Sequence, residues 1–312
     1  MTGSLIECVP NFSEGRRKDI IEKIVEPFRE HKNCFLFDYR ADEDHNRLVV
    51  SLAGSPGPIQ DAIMEAAFIA AENIDLNVHE GGHPRIGAVD VIPFTPVRGI
   101  TMEECVELSH SFGKRFYRET GIPVYYYEES ALRPERKKLE VIRKGEYETL
   151  KDQAVLPERM PDEGEPALHP TAGATVVGAR KFLVAFNVNL ATDDLETARQ
   201  IARNVRASSG GFCHVKGIGL SLKERGMVQV SMNIVDHDKN PLYRVLEMIR
   251  FEAKRWGVDI FETEVYGMVP VKAVLDSAEY YMQIAGFQPE QVLELKMLQM
   301  MGDENNGNQA LS

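Results

Sequence analysis

Residues 79–94, which read HEGGHPRIGAVDVIPF, most constrain what this chain can fold into. The first five match the H-E-x-x-H pattern, in which one helical face presents two histidines to zinc. Two adjacent glycines would each cost about 1 kcal/mol inside such a helix, and Pro84 disfavours the helical conformation for His83 before it. The sequence therefore predicts a glycine-rich loop that delivers His83 to the entrance of a buried strand.

The composition excludes several classes of protein. At 312 residues the chain exceeds the usual size of a single core, so we expect two domains. A net charge of −12 argues against nucleic-acid binding, because phosphate contacts need a basic surface. No apolar run approaches the roughly 20 residues that span a bilayer, and the amino terminus lacks the regions of a signal peptide. With four widely spaced cysteines, these features predict a cytoplasmic protein with no membrane partner.

Strand and helix patterns alternate along both halves of the chain, with β-hairpins among them. Thr101 and Glu104 form a capping box that opens a helix to about residue 120. The second half reads close to β-α-β-β-α-β, the split βαβ or ferredoxin-like arrangement, and the first half resembles it with an added strand and helix. The prediction is an α+β fold of two such subdomains, each a mixed sheet with helices on one face.

The periodicity fails between residues 146 and 172, which carry four prolines and several acids. A structureless segment of this length is more often functional or linking than accidental, so we interpret residues 146–175 as a connection between domains. The predicted N-terminal domain is residues 1–179, the C-terminal domain is residues 180–302, and residues 303–312 form a flexible tail. The charged run from Arg133 to Lys144 reads as a solvated helix face.

His83 is the first candidate for chemistry, because an ordinary histidine pKa near 6.5 suits proton transfer at neutral pH. The alternative is a loop histidine that only hydrogen-bonds a nearby carbonyl. His79, His83 and Asp90 could instead bind zinc with an open position. Pro84 removes the helical scaffold for that metal site, and no other ligand spacing occurs nearby.

Polar and basic residues beside turns are candidates for binding an anionic ligand. Asn11 and Ser13 could donate hydrogen bonds at the start of the first helix, or they could only cap that helix. Arg47 could hold a carboxylate through its guanidinium fork, although exposed arginines often have no specific role. Arg180 and Lys181 are basic at the start of a buried strand, which favours an anion site or a role at the domain junction.

Three motifs resemble the formiminotransferase part of the formimidoyltransferase-cyclodeaminase family. They are ECVPNFSEG at residues 7–15, HPRIGAVDV at residues 83–91 and GATVVGARKFL at residues 173–183. VKGIG at residues 215–219 and VQVSMN at residues 228–233 extend the match over nearly the whole chain. The resemblance implies transfer of a formimino group from N-formimino-L-glutamate to N5 of tetrahydrofolate, which gives 5-formimidoyltetrahydrofolate and L-glutamate.

The resemblance also implies an assembly and its partners. Two ferredoxin-like subdomains would enclose a substrate tunnel, and the chain would form a homodimer. Tetrahydrofolate would be the co-substrate, with no metal. Because the chain ends after the second subdomain, the helical cyclodeaminase part is expected to be absent, and a separate cyclodeaminase is one candidate partner.

Site residues follow from the same resemblance. His83 becomes the proton donor and acceptor, and His79 is expected to be a bystander. The folate-binding segment falls on Gly164, Glu165, Pro166, Ala167, Leu168, His169, Pro170, Thr171, Ala172 and Gly173. The candidates for substrate contacts are Asn11, Ser13, Arg47, Arg85, Arg180 and Lys181.

One position departs from the family pattern. Arg40 stands where vertebrate members carry an acid, so Asp38 or Asp42 is expected to substitute, or the donor differs. Two alternatives therefore stay open. The chain could transfer a formyl group, using N-formylglutamate or 5-formyltetrahydrofolate, or it could bind folate without turnover.

Overall fold

A computed structural model describes residues 3–300, which divide into two compact units, Gly3–Arg180 and a second unit that begins at Lys181. The strands of the first unit are β1 (Leu5–Cys8), β2 (Asn11–Phe12), β3 (Cys34–Asp42), β4 (Arg47–Gly54), β5 (Val89–Arg98), β6 (Val124–Tyr126) and β7 (Thr175–Ala179). Its helices are α1 (Lys18–Glu30), α2 (Pro56–Asn73), α3 (Met102–Thr120), α4 (Leu139–Ile142) and α5 (Glu146–Gln153), with 3-10 turns at Glu128–Ser130 and Pro134–Lys137.

These strands form one mixed sheet. Strands β1 and β2 share one position, because both pair antiparallel with β4 on one side and β5 on the other. Pro10 separates the two strands, because proline has no amide hydrogen to donate to a neighbouring strand. Its carbonyl still accepts from the Val50 amide at 3.0 Å. Strand β3 pairs antiparallel with β4 at one edge, and β7 and then β6 add in parallel beyond β5.

Two cores cover the two faces of this sheet. The larger core joins α1, α2 and α3 to one face, through side chains such as Phe28, Ile63 and Phe116. On the other face, Val176 and Tyr125 pack with Ile142 of α4 and Leu150 of α5. The prediction that helices lie on one face only is therefore wrong for this unit. The parallel strands β5, β6 and β7 are apolar on both faces, and such strands need cover on both.

The segment expected to connect two domains lies inside the first unit. Its first residues form α5, the Val124 amide donates to the Glu163 carbonyl at 2.9 Å, and the Ala88 amide donates to the Ala172 carbonyl at 2.9 Å. The division between the units falls later, between Arg180 and Lys181. Prolines and acids predicted an irregular backbone here, but Tyr147 packs in the larger core and Leu150 packs in the core on the other face of the sheet.

The capping box predicted at Thr101 and Glu104 is confirmed. The Thr101 side chain accepts from the Glu104 amide at 3.2 Å, and the Glu104 carboxylate accepts from the Thr101 amide at 2.7 Å. The helix ends at Gly121, whose φ of 71° is the left-handed conformation that glycine adopts at no steric cost. Helix α3 is thus specified locally at both ends.

The second unit has a β-α-β-β-α-β order followed by a further helix. Its elements are β8 (Val184–Leu190), α6 (Leu195–Val205), β9 (Val215–Leu222), β10 (Met227–Ile234), α7 (Leu242–Arg255), β11 (Ile260–Tyr266) and α8 (Val271–Met282). Short 3-10 turns lie at Ala207–Ser209, Lys223–Arg225 and Pro289–Gln291, and residues 293–300 are helical. The predicted tail, residues 303–312, lies outside the described residues.

The second sheet runs β11-β8-β10-β9 and every neighbouring pair is antiparallel. This differs from the mixed sheet that we expected. The crossover through α6 joins β8 to β9, but β10 inserts between them, so no two parallel strands become neighbours. Within residues 3–300, no helix combines the length and the apolar character needed to cross a membrane.

Candidate active site

A small cavity lies in the first unit where three loops meet. The loops are the chain before α1, the turn between β3 and β4, and the glycine-rich stretch before β5. The cavity is lined by Asn11, Phe12, Ser13, His45, Asn46, Arg47, His79, His83, Arg85 and Asp90. The structure therefore brings His83 together with Asn11, Ser13, Arg47 and Arg85, which the sequence analysis had proposed separately.

Glycines allow the three loops to approach one another. A Cβ on Gly81 would lie 2.3 Å from the His45 carbonyl oxygen, and one on Gly15 would lie 2.1 Å from the Asp42 carbonyl oxygen. Asn46, at a φ of 47°, then joins the loops through its side chain. The side-chain nitrogen donates to the Glu80 carbonyl at 2.9 Å, and the side-chain oxygen accepts from the Gly15 amide at 2.9 Å. Gly81 before His83 thus serves close packing, whereas a Cβ on Gly82 would meet nothing nearer than 3.6 Å.

The electrostatic surroundings of His83 favour its neutral form. Burial, followed by the charges of Arg47 and Arg143, lowers the pKa of His83 to about 4, with Asp90 acting in the opposite direction. The imidazole is therefore uncharged at pH 7 in the free protein and can accept a proton. The His45 ring lies edge-on to it, with 6.4 Å between the ring centroids.

Arg47 has hydrogen-bonding capacity that the described protein does not use. One guanidinium nitrogen donates to the Asn11 side-chain oxygen, but the buried Nε has no partner among residues 3–300. Burial and then the charge of Arg143 lower the pKa of Arg47 to about 10. A buried guanidinium with a free donor beside a cavity is suited to a carboxylate.

Arg143 was missed in the sequence analysis. It forms an ion pair with Asp90 in which the two side chains are 12% and 4% exposed, and the other Asp90 oxygen accepts from the Ile86 amide at 2.8 Å. Arg136, from the same charged run, pairs with buried Asp162 at 2.6 Å. The interpretation of this run as a solvated face is therefore wrong for these two arginines, whereas Glu135, Lys137, Lys138, Glu140 and Lys144 are exposed. No local spacing could have indicated these partners, which lie far away in sequence.

Arg85 holds the loop to α5. Two contacts go to His79: the Arg85 Nε donates to the His79 ring at 3.2 Å, and one Nη donates to the His79 carbonyl at 3.0 Å. That Nη also donates to Glu148 at 2.6 Å. The other Nη donates to Glu146 at 2.8 Å and to Glu148 at 3.0 Å. All five N–H groups are therefore engaged, which differs from the predicted anion contact. His79 also contacts the Asn46 carbonyl at 3.1 Å, so it belongs to this scaffold.

Asn11 and Ser13 also fix the loops. The Asn11 amide donates to the Val9 carbonyl at 2.7 Å while its oxygen accepts from Arg47, and the Ser13 hydroxyl donates to the Gly87 carbonyl at 2.7 Å. Neither caps α1, which has no side-chain cap; the amides of Arg16 and Arg17, just before the helix, donate to the carboxylate of Glu14. Both side chains line the cavity with these contacts already made.

The predicted folate-binding segment, residues 164–173, runs beside the His83 loop. Gly173 forms a bridge with Gly87, where a Cβ on Gly173 would lie 2.2 Å from the Ile86 carbonyl oxygen. The His169 ring accepts from the Ala172 amide at 3.0 Å. None of the residues of this segment is among those that line the cavity.

Arg180 and Lys181 also lie outside the cavity lining. The Arg180 amide donates to the Phe94 carbonyl at 2.9 Å, at the end of the first unit. Lys181 begins the second unit and contacts Asp236 at 2.6 Å. The structure therefore gives both residues protein contacts away from His83.

The acids expected to compensate for Arg40 have different positions. Asp38 accepts from the Arg40 guanidinium at 2.9 Å on the exposed strand β3. Asp42 accepts from both the backbone amide and the ring Nδ1 of His45, each at 2.8 Å. Because His45 lines the cavity, Asp42 is connected to it through that ring.

The zinc alternative lacks a set of three available ligands among residues 3–300. Across residues 3–300, no three His, Cys, Asp or Glu side chains are grouped so that they could hold a metal ion. His79, His83 and Asp90 line the same cavity, but the His79 ring is engaged by Arg85 and Asn46, and Asp90 is paired with Arg143.

Comparison with known proteins places the chain in a family. Residues 5–180 match the formiminotransferase domain, N-terminal subdomain, and residues 185–301 match the formiminotransferase domain. The chain is 46% identical to the glutamate formimidoyltransferase of Streptococcus pyogenes serotype M1, over 94% of this chain and 99% of that protein. It is 44% identical to that of Thermoplasma acidophilum, over 94% and 97%. It is 43% identical to the formimidoyltransferase-cyclodeaminase of Gallus gallus, over 89% and 52%. The chain belongs to the formiminotransferase family.

Proposed function

We propose that this chain transfers the formimino group of N-formimino-L-glutamate to N5 of tetrahydrofolate, giving 5-formimidoyltetrahydrofolate and L-glutamate. Relatives that carry the name glutamate formimidoyltransferase align along almost their whole length. The observation that carries the proposal is the neutral His83 imidazole, which shares a cavity with the incompletely hydrogen-bonded Arg47. A proton acceptor beside a carboxylate-binding group fits a dicarboxylate donor that reacts with an amine.

The reaction needs one proton to move between two nitrogens. N5 of tetrahydrofolate attacks the formimino carbon, and a tetrahedral intermediate forms. His83 accepts the proton that N5 loses, and a proton returns to the glutamate nitrogen as it departs. Such proton transfer typically contributes about 10²–10⁴-fold to the rate, and holding the two substrates together contributes at least as much.

The charges around His83 favour an anionic donor. Arg47 and Arg143 act on the ring as cations, and Asp90 supplies the opposing negative charge. A donor carboxylate bound to Arg47 would neutralise one cation and raise the pKa of His83 toward its ordinary value. The donor would therefore strengthen the base that its own reaction needs. Arg85, Asn11 and Ser13 act in this proposal by positioning the loops.

The finer architecture is also part of the proposal. Both units would be ferredoxin-like subdomains that enclose a substrate tunnel, with bounds near residues 1–179 and 180–302. The β-α-β-β-α-β order of the second unit, its strand order β11-β8-β10-β9 and the run β2-α1-β3-β4-α2-β5 within the first unit support the ferredoxin-like arrangement. Residues 164–173 would bind tetrahydrofolate, and Arg180 and Lys181 would contact substrate carboxylates. The homodimer, the cytoplasmic location and a separate cyclodeaminase partner rest on the family resemblance.

The test compares two donors in one assay. Formation of folate product is followed by absorbance with N-formimino-L-glutamate and with N-formylglutamate, each with and without chelator. We expect turnover with the formimino donor that the chelator does not change. His83→Ala should lower turnover by about 10²–10⁴-fold with little change in folate affinity. Unchanged turnover in that variant would contradict the assignment of His83.

The same assay distinguishes the alternatives. Turnover with the formyl donor alone would support formyl transfer. Equilibrium binding of tetrahydrofolate without product from either donor would support a folate-binding protein. Loss of turnover with chelator would restore the zinc hypothesis.

A further inference from the structure

A second histidine faces the same cavity as His83. His45 lies on the turn between β3 and β4, and its ring centroid is 6.4 Å from that of His83, with an interplanar angle of 70°. Both residues line the cavity. The Asp42 carboxylate contacts His45 Nδ1 at 2.8 Å. When Nδ1–H donates to this carboxylate, Nε2 is the ring nitrogen left for exchanging a proton.

The His45 ring is held in place although its side chain is 53% exposed. Asp42 uses its second oxygen to accept the His45 amide at 2.8 Å. The next residue, Asn46, is buried and hydrogen-bonded to two other loops. The Gly82 amide donates to the Asp44 carbonyl at 3.2 Å. The turn is thus attached to the loop that carries His83, and this attachment fixes the pair of rings.

The two histidines have different neighbours. Burial, followed by the charges of Arg47 and Arg143, lowers the pKa of His83, with Asp90 acting in the opposite direction. The His45 ring instead contacts the Asp42 carboxylate at 2.8 Å. The charged and titratable residues of its own turn, of the adjoining strand and of the two segments packed against it are Asp42, Glu43, Asp44, Arg47, His79, Glu80, His83, Glu14 and Arg16. A ring that keeps Nδ1–H on a carboxylate and leaves Nε2 for proton exchange is placed to deliver a proton, and His83 is placed to accept one.

We propose that His45 is the second proton carrier of the reaction and protonates the departing glutamate nitrogen. This inference rests on the proposed function. The N5 lone pair forms the new bond to the carbon of the amidinium donor, and the C=N π pair moves to the terminal nitrogen, which becomes NH₂. His83 then takes the proton from N5. The NH₂ lone pair re-forms the C=N bond, the bond to the glutamate nitrogen breaks, and that nitrogen takes the proton of His45.

The cycle closes within the histidine pair. After transfer His83 carries one extra proton and His45 lacks one, so a proton passes from His83 to His45 directly or through water. No net proton and no electron is gained or lost by the protein. The edge-on arrangement of the two rings in one cavity supplies the short route for this return.

The test is His45→Gln, measured for kcat, for both KM values and for the pH profile of kcat. We expect kcat to fall by about 10²-fold and both KM values to stay within about twofold of wild type. The decrease in kcat at high pH, which reports loss of the proton from the catalytic acid, should disappear. The matched control is His31→Gln, because His31 forms a similar surface pair with Glu65 at 2.8 Å and does not line the cavity. The control should keep wild-type kcat.

A second variant guards against a folding defect. Asp42→Asn keeps an oxygen for the His45 amide but removes the carboxylate that contacts His45 Nδ1, so kcat should fall while both KM values stay within about twofold of wild type. Unchanged kcat in His45→Gln, or a rise in KM with kcat preserved, would overturn the inference. If wild type itself gives no formimino transfer, the proposed function fails instead, so the two failures are distinguishable.

Discussion

Replacing Arg143 by methionine tests whether the pair with Asp90 supports the site. The Asp90 side chain is 4% exposed. In the variant it would lose its ion pair with Arg143 and keep the hydrogen bond from the Ile86 amide. Removing one member of a buried ion pair typically costs about 3–5 kcal/mol, because a buried charge loses its compensation. We take the lower end, about 3 kcal/mol, since Ile86 still donates to Asp90. For a unit of this size that loss corresponds to a decrease in Tm of about 6–12 °C.

The measurement is thermal unfolding followed by circular dichroism at pH 7. The matched control is Arg118→Met, because Arg118 is 74% exposed and its pair with Glu119 is 3.3 Å long. Such an exposed pair contributes about 0–1 kcal/mol. Asp90→Asn combined with Arg143→Met removes both charges and should recover part of the loss. If Arg143→Met unfolds within about 2 °C of the control, the pair is not a structural support and the reasoning is wrong.

Three further predictions follow from individual contacts. Arg47→Met should raise the donor KM by about 10–100-fold, since a charge-assisted hydrogen bond contributes about 1.5–3 kcal/mol; an unchanged donor KM in steady-state kinetics would remove Arg47 from the site. Gly81→Ala places a Cβ 2.3 Å from the His45 carbonyl oxygen, so turnover should fall, whereas Gly57→Ala, with nothing within 4 Å, should retain it. Burial raises the pKa of Glu7 from 4.5 to about 7, so its contribution to stability is fully present below pH 4.5 and is lost as pH rises through 7. This loss is about 3 kcal/mol, and denaturant unfolding of Glu7→Gln should be correspondingly less dependent on pH than that of wild type.

The sequence predicted the local features of the site. Two glycines and Pro84 excluded a helix for residues 79–83, and the structure has an irregular loop there. The apolar run after it became β5, buried through Thr95. Both conclusions rest on the conformational limits of single residues and their neighbours, which do not depend on the rest of the fold.

Charged residues were the least predictable. Arg85 was expected to contact an anion, yet Glu146 and Glu148 engage it from α5. Arg143 was expected to be solvated, yet it is buried against Asp90. An arginine has the same sequence signature whether it faces water, a ligand or a distant carboxylate. Only the folded chain shows which of these it meets.

Local sequence was enough to predict a mixed α/β chain, its family and a loop at His83, because periodicity, glycine and proline act over a few residues and the motifs are contiguous. How these parts are arranged around the cavity depends on the folded chain. It joined His45, with Asp42 on its Nδ1, to His83 from a different loop at one cavity. It also set the charge around each ring, which depends on burial and on contacts between residues far apart in the chain. Proton transfer depends on that environment, and folding alone creates it.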